Sequence, residues 1–147
     1  MLKFRFKYQN LLEVKEKYED VIKGKLNKAQ SKLQNEKKQL RELEKYKDNC
    51  KNHIALKVQS GINVGYLKTY DSFLLGLKRK IHEQIQIVEQ CNNEVNKCRQ
   101  ELMKASMEKR TFEKLKEKEK ENFCYIEKKE EENFVDQLVT FQNFKSN

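Results

Sequence analysis

Cysteine, histidine and clustered carboxylates are the side chains of this chain that could hold a metal, attack a carbon or move a proton, and their spacing decides whether they do. Cys50, Cys91, Cys98 and Cys124 are spread too widely for a zinc knuckle, and His53 and His82 supply no close ligand pair. They read instead as reduced, half-buried residues of a helical seam. Cys91 and Cys98 lie two helical turns apart, on the order of 10 Å, beyond the reach of a disulfide. Glu130-Glu131-Glu132 places carboxylates side by side, but such runs on helices solvate a face more often than they pair as acid and base. The sequence has no Gly-rich phosphate loop, His-Glu-x-x-His, Cys-x-x-Cys or Gly-x-Ser-x-Gly. The expectation is a non-enzymatic protein with no cofactor and no metal.

The aromatic residues remain, 6 Tyr and 8 Phe on a chain with little interior to hide them. Leu43 and Tyr46 on one side of a turn, and Phe73 and Leu77 on the other, would lie side by side if the chain folded back on itself. They would then either close the pairing there or present a docking surface, since partly exposed aromatics make good anchors.

The elements that must position these residues are helices. With no Pro and 4 Gly, little interrupts the chain. Hydrophobic residues make up 37% and charged residues another 37%, far from the roughly 45–50% apolar and roughly 25% charged mix of ordinary domains. That balance suits helices that bury one narrow stripe and solvate the rest. In the first half, Tyr8, Leu11, Tyr18, Ile22, Ala29, Leu33, Leu40, Leu43, Cys50 and Ile54 recur at three- and four-residue steps, with Lys15 and Lys25 as interruptions whose stems can cover the seam. Between Leu56 and Tyr66 the period fails. There Gly61 suits a left-handed residue after a helix end, and Asn63 suits a cap. Beyond it, Leu74, Ile81, Val88, Val95 and Leu102 fall seven apart, with Leu77, Gln84, Cys91, Cys98, Ala105 and Phe112 in the second seam position, a heptad pattern over about five repeats. The predicted fold is all-α, a long antiparallel two-helix coiled-coil hairpin. It forms a single domain over 1–147, with helix 1 at about 3–57, a turn at about 58–65 and helix 2 at about 66–141.

Pairing outward from the turn brings Phe4 opposite roughly Lys120. The chain beyond has no partner, yet carries Phe123, Ile126, Phe134, Val135, Leu138, Val139, Phe141 and Phe144. This is more apolar surface than a free helix should display, and it reads as an interaction surface, against the plainer alternatives of a frayed tail or self-association.

The net charge of +9 raises nucleic acid, an anionic membrane or an acidic protein as partners. Basic residues are interleaved with Glu, as in Lys116-Glu117-Lys118-Glu119-Lys120, without a continuous Lys/Arg stripe, which argues for no nucleic acid. No apolar run approaches the roughly 18 residues of a membrane span and the start has no signal-peptide core, so the expectation is a cytoplasmic protein with no direct membrane insertion. A basic coiled-coil scaffold or nucleic-acid-binding module is the alternative.

Three stretches resemble a known family, the flagellar export protein FliJ and its stalk counterparts in virulence type III secretion. They are Phe4-x-Phe6-x-Tyr8-x-x-Leu11-Leu12 with Lys15-x-Lys17-x-Glu19-Asp20; Gln39-Leu40-x-x-Leu43-x-x-Tyr46, Gly61-Ile62 and Tyr70-x-x-Phe73-x-x-x-Leu77; and Lys128-Lys129-Glu130 leading to Val135-Asp136. Gln137 departs from the family's closing acidic pair, and Cys50 stands at a position often aromatic. The resemblance implies a cytoplasmic export component, peripheral at the cytoplasmic face of the cell membrane. Its terminal end (Phe4, Phe6, Tyr8, Leu11, Phe123, Ile126, Phe134, Val135, Leu138) would enter the export ATPase hexamer. Gln39, Leu43, Tyr46, Phe73 and Leu77 would face the export-gate membrane protein, and export chaperones would be further partners.

Overall fold

The structure, a computed structural model, describes residues 2–146 and contains two helices, α1 (Gln9–Ser60) and α2 (Val64–Ser146), which pack against each other as an antiparallel helical hairpin. The chain divides into two compact units, one of Ile22–Leu102 and one of Met1–Val21 with Met103–Asn147.

In the Ile22–Leu102 unit the seam follows the heptads. Ile22, Leu33 and Ile54 of α1 and Leu77, Ile81, Cys91, Val95 and Cys98 of α2 are buried, and Leu33, Cys91 and Val95 form the centre, flanked by Leu26, Ala29 and Val88. Gln84, the polar interruption of the α2 stripe, is also buried. Its amide donates to the Glu36 carbonyl at 3.0 Å and to the Glu36 carboxylate at 2.6 Å, so the polar atom it brings inside is satisfied. Lys25 is exposed and donates to Glu101 at 3.3 Å beside the seam, while Leu26 takes the half-buried place. All four cysteines are free, with Cys91 and Cys98 buried.

The connection is short. Gly61 adopts a φ of 88°, the left-handed conformation that ends α1, and its N–H donates to the Val58 carbonyl at 3.2 Å. The Asn63 side chain then accepts from the Gly65 N–H at 2.9 Å, which caps α2. The second helix starts at Val64 and continues without interruption through Asp71 and Gly76 to Ser146, past the expected end near 141.

In the other unit the seam lies one residue away from its expected course. Leu12 and Glu19 are buried, whereas Leu11 and Tyr18 are 46% and 49% exposed. Apolar periodicity favours the latter pair, since Tyr18 is apolar and Glu19 is charged. Burial is possible because Glu19 accepts from Lys109 of α2 at 2.9 Å, an ion pair crossing between the helices. Lys15 pairs with Glu108 at 2.9 Å in the same way.

The first helix also begins at Gln9, where the sequence suggested about residue 3. The reason lies in Phe4, Phe6 and Tyr8, whose two-residue alternation belongs to extended chain. Residues 2–8 form no helix, and the rings of Phe4 and Tyr8 lie against α2 instead, Phe4 on Phe123 at 5.7 Å and Tyr8 on Phe112 at 6.4 Å between centroids.

Candidate partner-binding surfaces

In the unit containing both chain ends, the predicted site residues separate into a packed set and an open set. Phe6 is buried and its ring meets Tyr8 at 5.9 Å. Phe4, Tyr8 and Phe123 are half-buried in the same aromatic cluster. Leu11 is open, as are Ile126, Phe134, Val135 and Leu138. Every residue from 128 to 145 is exposed, so α2 continues there without a helix opposite. Leu2, Phe123, Ile126 and Phe134 line a groove of about 480 Å³ rimmed by Glu127, Glu130 and Glu131. Phe141 and Phe144 add apolar surface further along.

In the Ile22–Leu102 unit, Tyr46 and Phe73 meet edge to face across the two helices, 6.2 Å between centroids, and each shows about half its surface to solvent. Leu43 is half-buried beside them, Gln39 is exposed and Leu77 is buried. The structure thus brings Tyr46 and Phe73 together at the surface and sets Leu77 in the seam.

Sequence reasoning did not assign the groove that adjoins this pair, lined by Cys50, His53, Tyr66, Tyr70 and Phe73 among others. The signal for it is the Tyr66, Tyr70, Phe73 spacing, which puts three rings on one helix face. The Tyr70 hydroxyl is buried without a hydrogen-bond partner, and burial, with a smaller effect from Cys50, pushes its pKa up. Lys57 donates to the hydroxyl of Tyr66, one of the lining residues, at 3.2 Å with its ammonium 4.8 Å from the ring centroid.

Among the described residues no group of three or more His, Cys, Asp or Glu is arranged to hold a metal ion, and no helix is long and apolar enough to cross a membrane.

Comparison with known proteins decides the family. The sequence pattern of the family described as "Flagellar FliJ protein" matches residues 4–147. This chain belongs to the FliJ family. It is 27% identical over 116 residues to the flagellar FliJ protein of Bacillus subtilis (strain 168), an alignment covering 79% of each chain. No solved structure matches. The FliJ match takes in both surfaces described above, from Phe4 of the aromatic cluster through Tyr46 and Phe73 to the open stretch of α2.

Proposed function

We propose that this FliJ-family chain is a non-enzymatic stalk and chaperone-escort component of the flagellar type III export apparatus, acting as one coiled-coil domain. Its terminal surface, Phe4, Phe6, Tyr8, Leu11, Phe123, Ile126, Phe134, Val135 and Leu138, engages the export ATPase hexamer. Gln39, Leu43, Tyr46, Phe73 and Leu77 serve the export-gate membrane protein, with Tyr46 and Phe73 in contact and Leu77 buried in the seam. Export chaperones are carried as further partners, and the work is done in the cytoplasm at the inner face of the cell membrane.

The observation that carries this reading is the unpaired stretch 128–145, a helix whose Phe134, Val135, Leu138 and Phe141 all lie open to solvent. Apolar surface of that kind, rimmed by charge, is what a binding protein keeps ready for a partner. The Tyr46 and Phe73 pair has the composition of an interface anchor.

The test is the steady-state hydrolysis rate and hexamer population of the cognate export ATPase, with the full chain and with a version truncated after Asn122. Stimulation by the full chain that disappears on truncation supports the stalk reading. No effect on either quantity would favour a generic scaffold. For the second surface, Phe73→Ala should weaken binding to the gate's cytoplasmic part by on the order of tenfold.

A further inference from the structure

The turn end of the Ile22–Leu102 unit combines two features that the proposed protein partners leave unused. The first is charge. Between Asp48 and Asp71 the chain has no acidic residue, the longest acid-free stretch in the sequence, ahead of 21–35 and 1–12. Within that stretch stand Lys51, Lys57 and Lys68, and α2 adds Lys78, Arg79 and Lys80 before the next acid, Glu83. The second is a concentration of exposed aliphatic residues at the two helix ends that meet at the turn. Leu56 and Val58 in the last turn of α1, and Val64 and Leu67 in the first turn of α2, are exposed, Val64 to 67%. Ile62 lies between them in the turn, half-buried. The Tyr66 ring, capped by Lys57, lies in the same first turn of α2 as Val64 and Leu67.

Val58, Ile62 and Val64 at the extremity, with Tyr66, Lys57 and Lys68 on flexible stems within the adjoining turn, is a combination that suits the acyl boundary, the headgroups and the anionic phosphates of a bilayer. We infer that the turn end, Leu56 to Lys68, adsorbs to the headgroup layer of an anionic lipid membrane. Nucleic acid would use the lysines but leave the aliphatic tip exposed. This is adsorption and not a crossing, since no helix among the described residues can span. Lys57 and Lys68 sit within about a Debye length of the tip, whereas Lys78, Arg79 and Lys80 lie roughly 25 Å back along α2 and contribute little. Salt should therefore weaken the adsorption without abolishing its apolar part.

The full-length chain is to be sedimented with vesicles of phosphatidylcholine alone and of phosphatidylcholine with phosphatidylglycerol, at physiological ionic strength. Retention on the anionic vesicles only is expected. Lys57→Gln with Lys68→Gln should lower the partition coefficient about 30-fold, and Val58→Ser with Val64→Ser should lower it on the order of tenfold. Lys114→Gln with Lys118→Gln removes the same charge from the other unit and should change it little. The inference is overturned by equal retention on both vesicle types, by the Lys114 and Lys118 variant matching the Lys57 and Lys68 variant, or by no retention at all. The last outcome would leave the patch to a protein surface. Far-ultraviolet circular dichroism on each variant separates loss of binding from loss of fold.

Discussion

Replacing Leu12 by alanine should destabilise the chain far more than the same change at Leu11, its immediate neighbour. Leu12 is 3% exposed and Leu11 46%. Truncating leucine to alanine removes three carbon groups, each contributing about 0.8 kcal/mol when buried. Their sum, about 2.5 kcal/mol, is realised almost in full at position 12, and the unfilled space raises it to about 3 kcal/mol, within the observed range for such changes. A seam only two helices thick lets solvent and neighbours close part of that space, so the upper end of the range is not expected. At position 11 the side chain lies on the outer face, and alanine's higher helix propensity offsets some of what is lost, leaving less than about 1 kcal/mol. Urea unfolding of both variants, followed by circular dichroism at 222 nm, reads the difference directly. If Leu11→Ala were as costly as Leu12→Ala, the seam would run through Leu11 and Tyr18, and the buried Glu19 to Lys109 pair would be wrong.

Further expectations concern the glycines, the thiols and the ion pairs. A Cβ at Gly24 or Gly76 meets nothing within 4 Å, so alanine at each should raise stability by about 0.5–1 kcal/mol in the same unfolding assay, whereas Gly61→Ala, forced to the left-handed conformation, should lower it by about 1 kcal/mol or more. With a thiol-reactive chromophore, Cys124 should react at once and Cys50 more slowly, while buried Cys91 and Cys98 wait for unfolding; burial also pushes the Cys98 thiol pKa up, which slows it further. Glu108 is held below the ordinary carboxylate range by its hydrogen bond from Lys15 and then by that residue's charge. Its folded pKa lies under its unfolded one, so it stabilises above the unfolded value and the contribution is lost as pH falls through the folded one. Lys109 is raised, first by its hydrogen bond to Glu19, and so stabilises below the ordinary lysine range and loses this as pH rises through its folded value. The urea midpoint should therefore fall towards both extremes, and Lys15→Met should flatten the acid limb; an unchanged acid limb would remove Glu108 from the account.

The α2 seam was legible because one strict heptad, Leu74 to Leu102, coincides with burial in the structure. The turn was legible because Gly61 and Asn63 each have few other uses. The start of α1 was less so. Leu11 and Leu12 are adjacent, and Tyr18 and Lys25 sit beside Glu19 and Leu26, so two stripes one residue apart compete on hydrophobicity alone. What decides between them is Lys109, far away in sequence, which makes burial of Glu19 tolerable. Of the site residues, spacing found the Tyr46 and Phe73 pair, which meets as expected. It also found the open run of α2 after Ile126. The non-helical course of residues 2–8 was written in the alternation of Phe4, Phe6 and Tyr8, but a helical period laid over it concealed the signal. Tyr70 stands in one of the family-like stretches, but its buried hydroxyl without a partner is invisible until its surroundings are known.

The unequal lengths of the helices, 52 and 83 residues, have a thermodynamic consequence for whatever binds the excess. An isolated peptide covering 128–145 would have to pay for helix initiation, the costly step, before gaining anything from elongation. Here the paired part of α2 supplies the nucleus, so the overhang exists by propagation alone and is a primed half of a coiled coil. A partner engaging it would meet a helix already formed and need not nucleate one. Its binding can then grow by increments with each turn engaged, so that affinity becomes a function of depth and not a single threshold.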